Sequence, residues 1–368
     1  MSTFTQHFIQ DQTLLPIIEK IEAGERLSLE DGMTLYNSND LLTIGQLANL
    51  VNTRKNGNNV YFIENMYINP TNVCEAHCAF CGFRRDPGEE GAYTMSMDDL
   101  LEYVAKGYTP TTREFHIVGG HNHTVPFDYY LDTIRTLKKN YPDVTIKAYT
   151  GAEIVFFAQI AGLTEEEVLK ELVKAGLDTL PGGGAEILTE EYRAKMSPEK
   201  ASTDEWLNVH RLAHNLGMKT HATMLYGSIE KPEERLIHMM RLRELQDDTN
   251  GFMVFIPLAI QPKKVTASIK RRTSAFDDMK TMAISRLMLD NFPHVKAYWI
   301  NIGTQLTQMA VNFGSSDIHG TLVEERISHA VGALTQSGLT RDELVWLIKG
   351  AGKQPIERDT FYNIIKEY

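Results

Sequence analysis

The sequence predicts an α/β protein: a (β/α)8 barrel of the TIM type with an N-terminal helical extension and a C-terminal helical cap. The main observation is that β-rich runs and helical patterns alternate eight times, which is typical of a parallel barrel. A length of 368 residues suits one barrel with extensions, and 42% hydrophobic residues can bury a large core. We expect the helical extension over residues 1–58, the barrel over 59–333 and the cap over 334–368, packed on the barrel.

The first segment has the period of amphipathic helices. From Leu14 to Asn56 apolar residues recur every three to four positions, with turn signals at Ala23-Gly24 and Asn37-Ser38. We therefore expect a helical preface. The period changes after Gly57, where the β-rich run Val60–Ile68 predicts the first strand of the barrel.

The barrel units follow in order along the chain. The first strand leads into a loop with three cysteines and a helix near 96–106. Later strands are expected at 114–118, 145–149, 179–180, 219–223, 252–256, 296–300 and 317–318. Helices are expected between them, including 127–139, 165–175, 203–216, 232–246, 276–291 and 306–313.

Start and stop signals support several of these helices. Thr164 and Thr340 each precede a run of acidic residues, which suits the first turn of a helix. Gly176, Gly217 and Gly350 stand where a helix should end. From Gly338 onward the pattern predicts two short helices that cap the barrel.

Charge and hydropathy limit the classes of partner. The net charge of −11 argues against a general nucleic-acid or membrane-surface binder, since neither phosphates nor anionic lipids attract such a field. The segment Met1–Leu15 lacks the pattern of a secretory signal, and the apolar run Ile154–Leu163 is too short to span a bilayer. We expect a cytoplasmic enzyme with a small-molecule substrate and no nucleic-acid or membrane partner; the sequence leaves the oligomeric state open.

The chain has only three cysteines, and all of them lie within eight positions. Cys74, Cys78 and Cys81 are an odd number, which does not suit a disulfide framework but suits a metal site. Their spacing could also place three small side chains on one helix face. The intervening Glu75 and His77 would make a poor core helix, so the sequence predicts an irregular loop.

The three cysteines are compatible with three kinds of metal protein. Zinc would need a fourth ligand, which His77 could supply. An iron-sulfur electron carrier would close its cluster with a fourth cysteine, and this chain has none left. Three thiolates on a 4Fe-4S cluster leave one iron open for a substrate, which favours catalysis.

The cysteine spacing resembles the signature of the radical S-adenosylmethionine (SAM) superfamily, Cys-x3-Cys-x-aromatic-Cys, written here as Cys74-Glu-Ala-His-Cys78-Ala-Phe80-Cys81. This resemblance implies a 4Fe-4S cluster held by the three cysteines and SAM as co-substrate. It also implies a one-electron reductant such as flavodoxin or ferredoxin. By the same resemblance, SAM binds the open iron and Phe80 helps to seat its adenine.

The resemblance also suggests further SAM contacts. Gly119-Gly120, after the second strand, matches a pair that meets the methionine amino group. Glu153 is expected at the ribose, although a carboxylate at a helix start is the alternative. Gly227 begins a turn similar to the family's adenine-contacting turn. Barrel active sites lie at strand carboxyl ends, which is where these residues stand in the predicted order.

A glycine-rich segment indicates which branch of the superfamily the chain resembles. Pro181–Glu186 includes Gly182, Gly183 and Gly184, and three glycines let the backbone approach a ligand closely, with a floppy loop as the alternative. This segment is similar to one shared by menaquinone-pathway radical enzymes. The segments Asn291–Trp299 and Gly314–Thr321 favour aminofutalosine synthases over cyclic dehypoxanthine futalosine synthases, and deazaflavin-cofactor synthases share the general plan. One departure is His121-Asn122-His123, where relatives have a proline sooner after the glycine pair.

The aminofutalosine synthase family implies a dianionic substrate, 3-[(1-carboxyvinyl)oxy]benzoate. The adenosyl radical adds to it, and rearrangement and decarboxylation give aminofutalosine. The carboxylates need cations, and Arg84 and Arg193 are candidates for bidentate forks, with Lys147 and His116 as barrel-interior alternatives. Arg84, His116 and Arg193 are thus the catalytic candidates. The substrate-binding candidates are Asn72, Lys147, Gly182, Gly183, Gly184 and Tyr298.

Overall fold

The structure is a computed structural model that describes residues 9–261, 272–321 and 326–368. The amino-terminal part is helical, as the sequence predicts. It contains α1 (Leu15–Ala23), α2 (Leu29–Asn37) and α3 (Leu41–Asn56), separated by the two turns that the turn signals indicate. Apolar side chains of all three helices join a core with the later helices Pro232–Thr249 and Ala275–Met288 and the neighbouring strands.

A β/α alternation follows this extension. Its strands are β1 (Asn59–Phe62), β2 (Asn65–Ile68), β3 (Glu114–Ile117), β4 (Thr145–Ala148), β5 (Thr220–Tyr226), β6 (Phe252–Ala259), β7 (His294–Ala297) and β8 (Asp317–Ile318). Its helices are α4 (Met97–Gly107), α5 (Phe127–Asn140), α6 (Gly151–Ala161), α7 (Glu165–Ala175), α8 (Glu190–Met196), α9 (Thr203–Asn215), α10 (Pro232–Thr249), α11 (Ala275–Met288), α12 (Trp299–Ala310) and α13 (Ile327–Ala330).

The parallel strands follow the order of a TIM-type barrel. One sheet joins β5, β6, β7, β8 and β1, and a second joins β2, β3 and β4. Single bridges at Thr179 and Leu180 connect β4 to β5. The ring is interrupted where β1 gives way to β2, because β1 pairs with β8 while β2 pairs with β3. The α/β fold is therefore confirmed, with hydrogen bonding that stops short of one closed sheet.

Alternation along the strands explains why the barrel interior is polar. On β3, Phe115 and Ile117 pack against the surrounding helices, and the alternate residues Glu114 and His116 face inward. Register then places Tyr67, His116 and Lys147 side by side on β2, β3 and β4. The same two-residue alternation directs apolar side chains to the outer core and polar side chains into the barrel interior.

The carboxyl-terminal segment differs from the prediction of two capping helices. Only the first forms, as α14 (Arg341–Gly350), which begins at the expected Thr340 cap. The second is replaced by β9 (Gln354–Arg358), parallel to β1, and β10 (Ile364–Glu367), antiparallel to β9. The free edge of β1 offers hydrogen bonds that a short isolated helix could not obtain.

Two further elements correct the sequence-based boundaries. The seventh strand ends at Ala297 instead of Ile300, and α12 begins at Trp299. Aromatic and β-branched residues suit a buried helix start as well as a strand, so this run was ambiguous. Helix α6 was not predicted, because burial of nearly all its early residues removes the amphipathic period.

None of the helices in the described ranges is long and apolar enough to cross a membrane.

Candidate active site

The cysteine segment is an irregular loop after β2, as its composition indicates. Backbone hydrogen bonds anchor it: Cys74 N donates to Arg85 O at 3.1 Å, and Ala79 N donates to Met196 O at 2.9 Å. All three cysteines are free thiols and line the same cavity. The loop therefore presents three sulfur atoms at the carboxyl end of the strands.

The glycine pair after β3 packs directly against this loop. A Cβ atom on Gly120 would lie 2.0 Å from the carbonyl oxygen of Val73 and 2.9 Å from Cβ of Cys74. On Gly119 the nearest atom would be Thr71 O at 3.2 Å. Gly120 thus permits the close approach of β3 to the cysteine loop, and both glycines line the cavity.

Glu153 connects the glycine pair to helix α6. Its Oε2 accepts from Thr150 N at 2.7 Å, which completes a capping box, and its Oε1 accepts from Gly119 N at 3.1 Å. Burial raises the pKa of Glu153 to about 7, although both hydrogen bonds oppose that shift. Its hydrogen bonds are thus those of a carboxylate that caps the start of a helix, and its side chain also lines the cavity. Its expected role at the ribose stays a prediction.

One cavity of about 290 Å³ joins the cysteine loop to the barrel interior. It contains most of the site residues that the sequence predicts. In addition to the cysteines these are Phe80, Arg84, His116, Gly119, Gly120, Lys147, Glu153, Gly182, Gly183, Gly184 and Tyr298.

The interior part of the cavity carries groups that the sequence reasoning missed. His221, Lys296 and His319 line it together with His116 and Lys147, and we call these five residues the interior cluster. Lys296 lies in a segment that the sequence singled out, but its inward direction depends on strand register. A polar residue at every second position of β7 was the available signal.

Lys147, one of the expected carboxylate binders, already has an anionic partner. Its Nζ donates to Glu114 Oε1 at 2.5 Å, and both side chains are buried. Burial alone would raise the pKa of Glu114, but the ammonium of Lys147 outweighs it and lowers that pKa. Lys147 therefore contributes a neutralised pair to the cavity wall.

Arg84 lies beside the cysteine loop and lines the cavity, as expected. Its Nη2 donates to Asp86 at 2.5 Å, while its buried Nε has no hydrogen-bond partner in the part of the chain that the structure describes. The guanidinium thus retains a donor beside the cysteine loop.

Lys200 was not expected in the site, yet it faces the cysteines. Its Nζ lies 2.9 Å from Glu186 Oε1 and 5.6 Å from the centre of the Phe80 ring. Burial would lower the pKa of Lys200, but the neighbouring Cys78 and Glu186 raise it. The residue supplies positive charge next to the thiols.

Three predicted site residues lie outside the cavity, and Arg193 is the main correction. Its guanidinium donates to Gly184 O at 3.2 Å, to Ala185 O at 2.8 Å and to Ala201 O. The side chain is buried, and its fork is used on backbone carbonyls instead of a substrate carboxylate. Arg193 holds the glycine-rich loop against α8 and the segment that precedes α9.

Asn72 and Gly227 are the other two. The amide of Asn72 donates to Gly91 O at 2.9 Å and accepts from Tyr93 N at 2.8 Å, so it fixes the loop beyond the cysteines. Gly227 N donates to Glu230 Oε1 at 2.5 Å, and a Cβ there would meet Thr273 at 2.2 Å. Both residues serve local turns next to the site.

The glycine triplet is neither floppy nor open. A Cβ on Gly182 would lie 2.6 Å from the backbone of Ala222, and one on Gly183 would lie 2.8 Å from Thr150. The carbonyl of Gly182 accepts from Thr223 Oγ1 at 2.6 Å, and that of Gly183 accepts from Trp206 Nε1 at 3.0 Å. The glycines let the loop pack against β5 and α6 while it lines the cavity.

These contacts predict that Arg193→Met mainly destabilises the fold. Three backbone carbonyls would lose a charged donor, which we expect to cost on the order of 2–4 kcal/mol. Thermal or urea unfolding checks this, with Lys195→Met on the same helix as control, since its exposed pair with Glu191 contributes little. An Arg193→Met protein of unchanged stability but raised KM would restore the carboxylate-fork interpretation.

The donor set fits an iron-sulfur cluster. Burial raises the pKa of Cys78 to about 12 and also raises that of Cys74, even with Lys200 beside them, so a bound metal is needed to make them thiolates. Among the described residues no three His, Cys, Asp or Glu side chains are arranged around a single metal ion. A 4Fe-4S cluster gives each thiolate its own iron, so its three sulfurs need not converge on one point.

His77, the fourth zinc ligand considered from the sequence, faces carboxylates instead. Its Nδ1 lies 3.0 Å from Glu199 and its Nε2 lies 3.4 Å from Asp86, on an exposed side chain. The zinc alternative therefore gains no support from this residue.

Comparisons with known proteins agree with this geometry. The model of the radical SAM superfamily matches residues 68–242, and that of the CofH/MqnC C-terminal region matches residues 249–367. The aminodeoxyfutalosine synthase of Thermus thermophilus is 48% identical, over 97% of this chain and 97% of the relative. The cyclic dehypoxanthine futalosine synthase of Halalkalibacterium halodurans is 35% identical, over 96% and 95%. The crystal structure of methylornithine synthase has a TM-score of 0.72 at 17% identity, covering 92% of this chain and 96% of that one, and supports the fold.

A barrel with three cysteines on a strand-end loop, next to a close-packed glycine pair, fits the class of iron-sulfur enzymes. With the matches above, the chain belongs to the radical SAM superfamily and is an enzyme. It is a homologue of the aminodeoxyfutalosine synthases and carries the CofH/MqnC C-terminal region. The alternatives of a zinc-stabilised barrel and an electron carrier are thereby set aside.

Proposed function

We propose that this enzyme joins the 5′-deoxyadenosyl group of SAM to 3-[(1-carboxyvinyl)oxy]benzoate and yields aminofutalosine in menaquinone biosynthesis. The observation that carries the proposal is the 48% identity to the Thermus aminodeoxyfutalosine synthase along nearly the whole chain. The segments Pro181–Glu186, Asn291–Trp299 and Gly314–Thr321 favour the same subfamily.

In the proposed reaction, Cys74, Cys78 and Cys81 would hold a 4Fe-4S cluster, which would supply the electron that cleaves SAM. The adenosyl C5′ bonds to the vinyl CH2 of the substrate, the substrate radical attacks the arene, and the aryl ether bond breaks. One carboxylate leaves as carbon dioxide. The electron that was used to cleave SAM is released again in this step, so it acts as a catalyst and is not consumed. The benzoate carboxylate remains in the product.

The chain's own residues have separate tasks in this proposal. Glu153 and Gly119 hold the wall beside the cysteine loop through the 3.1 Å hydrogen bond between them. Lys200 offsets negative charge at the thiols. Buried residues of the strands and the glycine-rich loop line the cavity and limit the access of water to radicals.

The fate of the adenosyl group tests the proposal. Purified enzyme with its cluster is incubated anaerobically with reductant, substrate and SAM labelled in the adenine ring. Most of the consumed label is expected in a product heavier than 5′-deoxyadenosine, with carbon dioxide in proportion. Reactions without substrate measure uncoupled cleavage.

Accumulation of the label as 5′-deoxyadenosine, coupled to substrate consumption, would contradict radical addition. It would favour hydrogen abstraction, as proposed for the cyclising relatives. Cyclic dehypoxanthine futalosine synthase activity is the second candidate because of the 35% identity to that enzyme. If this candidate is right, the enzyme should consume the substrate of that synthase and not the enolpyruvyl benzoate.

A further inference from the structure

Three cations, Lys147, Lys296 and Arg358, surround two carboxylates, Glu114 and Asp317, in and next to the interior cluster. Lys147 is paired with Glu114 at 2.5 Å. Asp317 is neutralised by Arg358, whose Nε and Nη2 reach its Oδ2 at 2.9 and 2.5 Å. Lys296 is the remaining cation, and its Nζ is 3.6 Å from Asp317 Oδ1, beyond hydrogen-bond distance.

The ammonium of Lys296 is buried in the cavity wall with Asp317 as an ionic neighbour but without a hydrogen bond to it. Its side chain is 2% exposed, and Nζ has no hydrogen-bond partner in the described ranges. Burial, together with Arg358 and Lys147, outweighs Asp317 and lowers the pKa of Lys296 to about 7. An arriving anion would supply the missing partner and favour the charged form.

Two histidines beside Lys296 offer matching donors. His221 and His319 are 1% and 2% exposed and line the cavity. Nε2 of His221 and both ring nitrogens of His319 are buried without a partner among the described residues. Burial lowers the pKa of both rings, so each is neutral and can turn an N–H towards a ligand.

Buried polar atoms that lack partners are rare in folded proteins and mark places where a ligand or water completes the network. Here an ammonium and two imidazoles converge on one cavity, which is the donor set of a carboxylate site. We infer that Lys296, His221 and His319 form a subsite for an aryl carboxylate. Resting on the proposed function, the subsite takes the benzoate group of the substrate.

The position of the subsite fixes the direction in which the substrate binds. The cysteines lie on the loop beyond the end of β2, whereas Lys296 lies on β7 itself. The vinyl carbon must meet the adenosyl C5′, so the enolpyruvyl end points towards the cysteine loop. The arene then reaches inward, and its carboxylate contacts Lys296.

The test measures binding, so it does not depend on turnover. Calorimetry on the cluster-loaded, unreduced full-length enzyme uses two probes, 3-hydroxybenzoate and the neutral 3-hydroxybenzamide. Wild type should bind the carboxylate roughly 10- to 100-fold more tightly than the amide. Lys296→Met should remove most of this preference and leave the affinity for the amide nearly unchanged.

Controls separate a binding role from a structural one. Lys353→Met removes another buried lysine, whose Nζ contacts Asn49 at 3.0 Å far from the cavity lining, and should keep the preference. Iron content and melting temperature verify the fold of each variant, and Lys296→Gln provides a polar alternative to Met.

Each outcome decides the assignment. A Lys296→Met enzyme that still prefers the carboxylate overturns the subsite, as does a wild type that binds neither probe at millimolar concentration. If Lys296→Met raises the KM for the full substrate but leaves the binding of both probes unchanged, the benzoate assignment is overturned. Lys296-dependent probe binding in an enzyme that fails the adenine-label assay would retain the subsite and reject the proposed reaction.

Discussion

Replacement of any one of Cys74, Cys78 or Cys81 by Ala is expected to abolish both cluster binding and turnover. The chain has three cysteines in total, so no other thiol can take the place of the lost ligand. The remaining two would have to hold the cluster on an irregular loop. Iron and sulfide analysis after anaerobic reconstitution, with the visible spectrum, measures the loss directly.

His77→Ala is the matched control, because it changes the same loop at an exposed side chain. It should retain about four irons per chain and most activity, since its ring contacts Glu199 and Asp86. Loss of bound metal in His77→Ala, with zinc in the purified wild type, would revive the four-ligand alternative. A cysteine variant with a full cluster and normal turnover would contradict the ligand assignment.

The parts of the fold that the sequence predicts well are those in which local signals agree with packing. Thr164 and Gly176 delimit α7 as expected, because a capping box and a left-handed glycine fix its two ends. Helix α6 was missed since its burial on many sides leaves no period. The hairpin of β9 and β10 was missed because the partner strand, β1, lies almost 300 positions earlier in the sequence.

The site divides in the same way. The cysteine motif lies within one short segment, so its residues alone predict that it forms an irregular loop at a strand end. Arg193 has the same residue type as a carboxylate fork, and only tertiary structure reveals that backbone carbonyls occupy it. Lys296 was visible on a strand, but the carboxylate 3.6 Å from it, Asp317, is bound by Arg358, whose position follows from the unpredicted strand β9.

Replacement of Gly120 by Ala is the second change expected to eliminate the cluster. The resemblance noted from the sequence places SAM beside Gly120, and a ligand in that space would let a substitution spare the iron and weaken only SAM binding. The structure fills that space with protein: a Cβ atom would stand 2.0 Å from Val73 O and 2.7 Å from its carbonyl carbon. Backbone atoms cannot rotate away as a flexible side chain would, so even a methyl group must displace the residue next to Cys74.

Gly119→Ala makes the same chemical change one position earlier and serves as control. Its Cβ would approach Thr71 O to 3.2 Å, which a shift of a few tenths of an ångström relieves. We expect Gly119→Ala to keep its iron, and Gly120→Ala to lose most of it, together with turnover. Iron content is measured beside far-UV circular dichroism, which should stay native in both if the damage is confined to the cysteine loop. A Gly120→Ala protein with full iron and only weakened SAM binding would return Gly120 to its predicted role as a direct SAM contact.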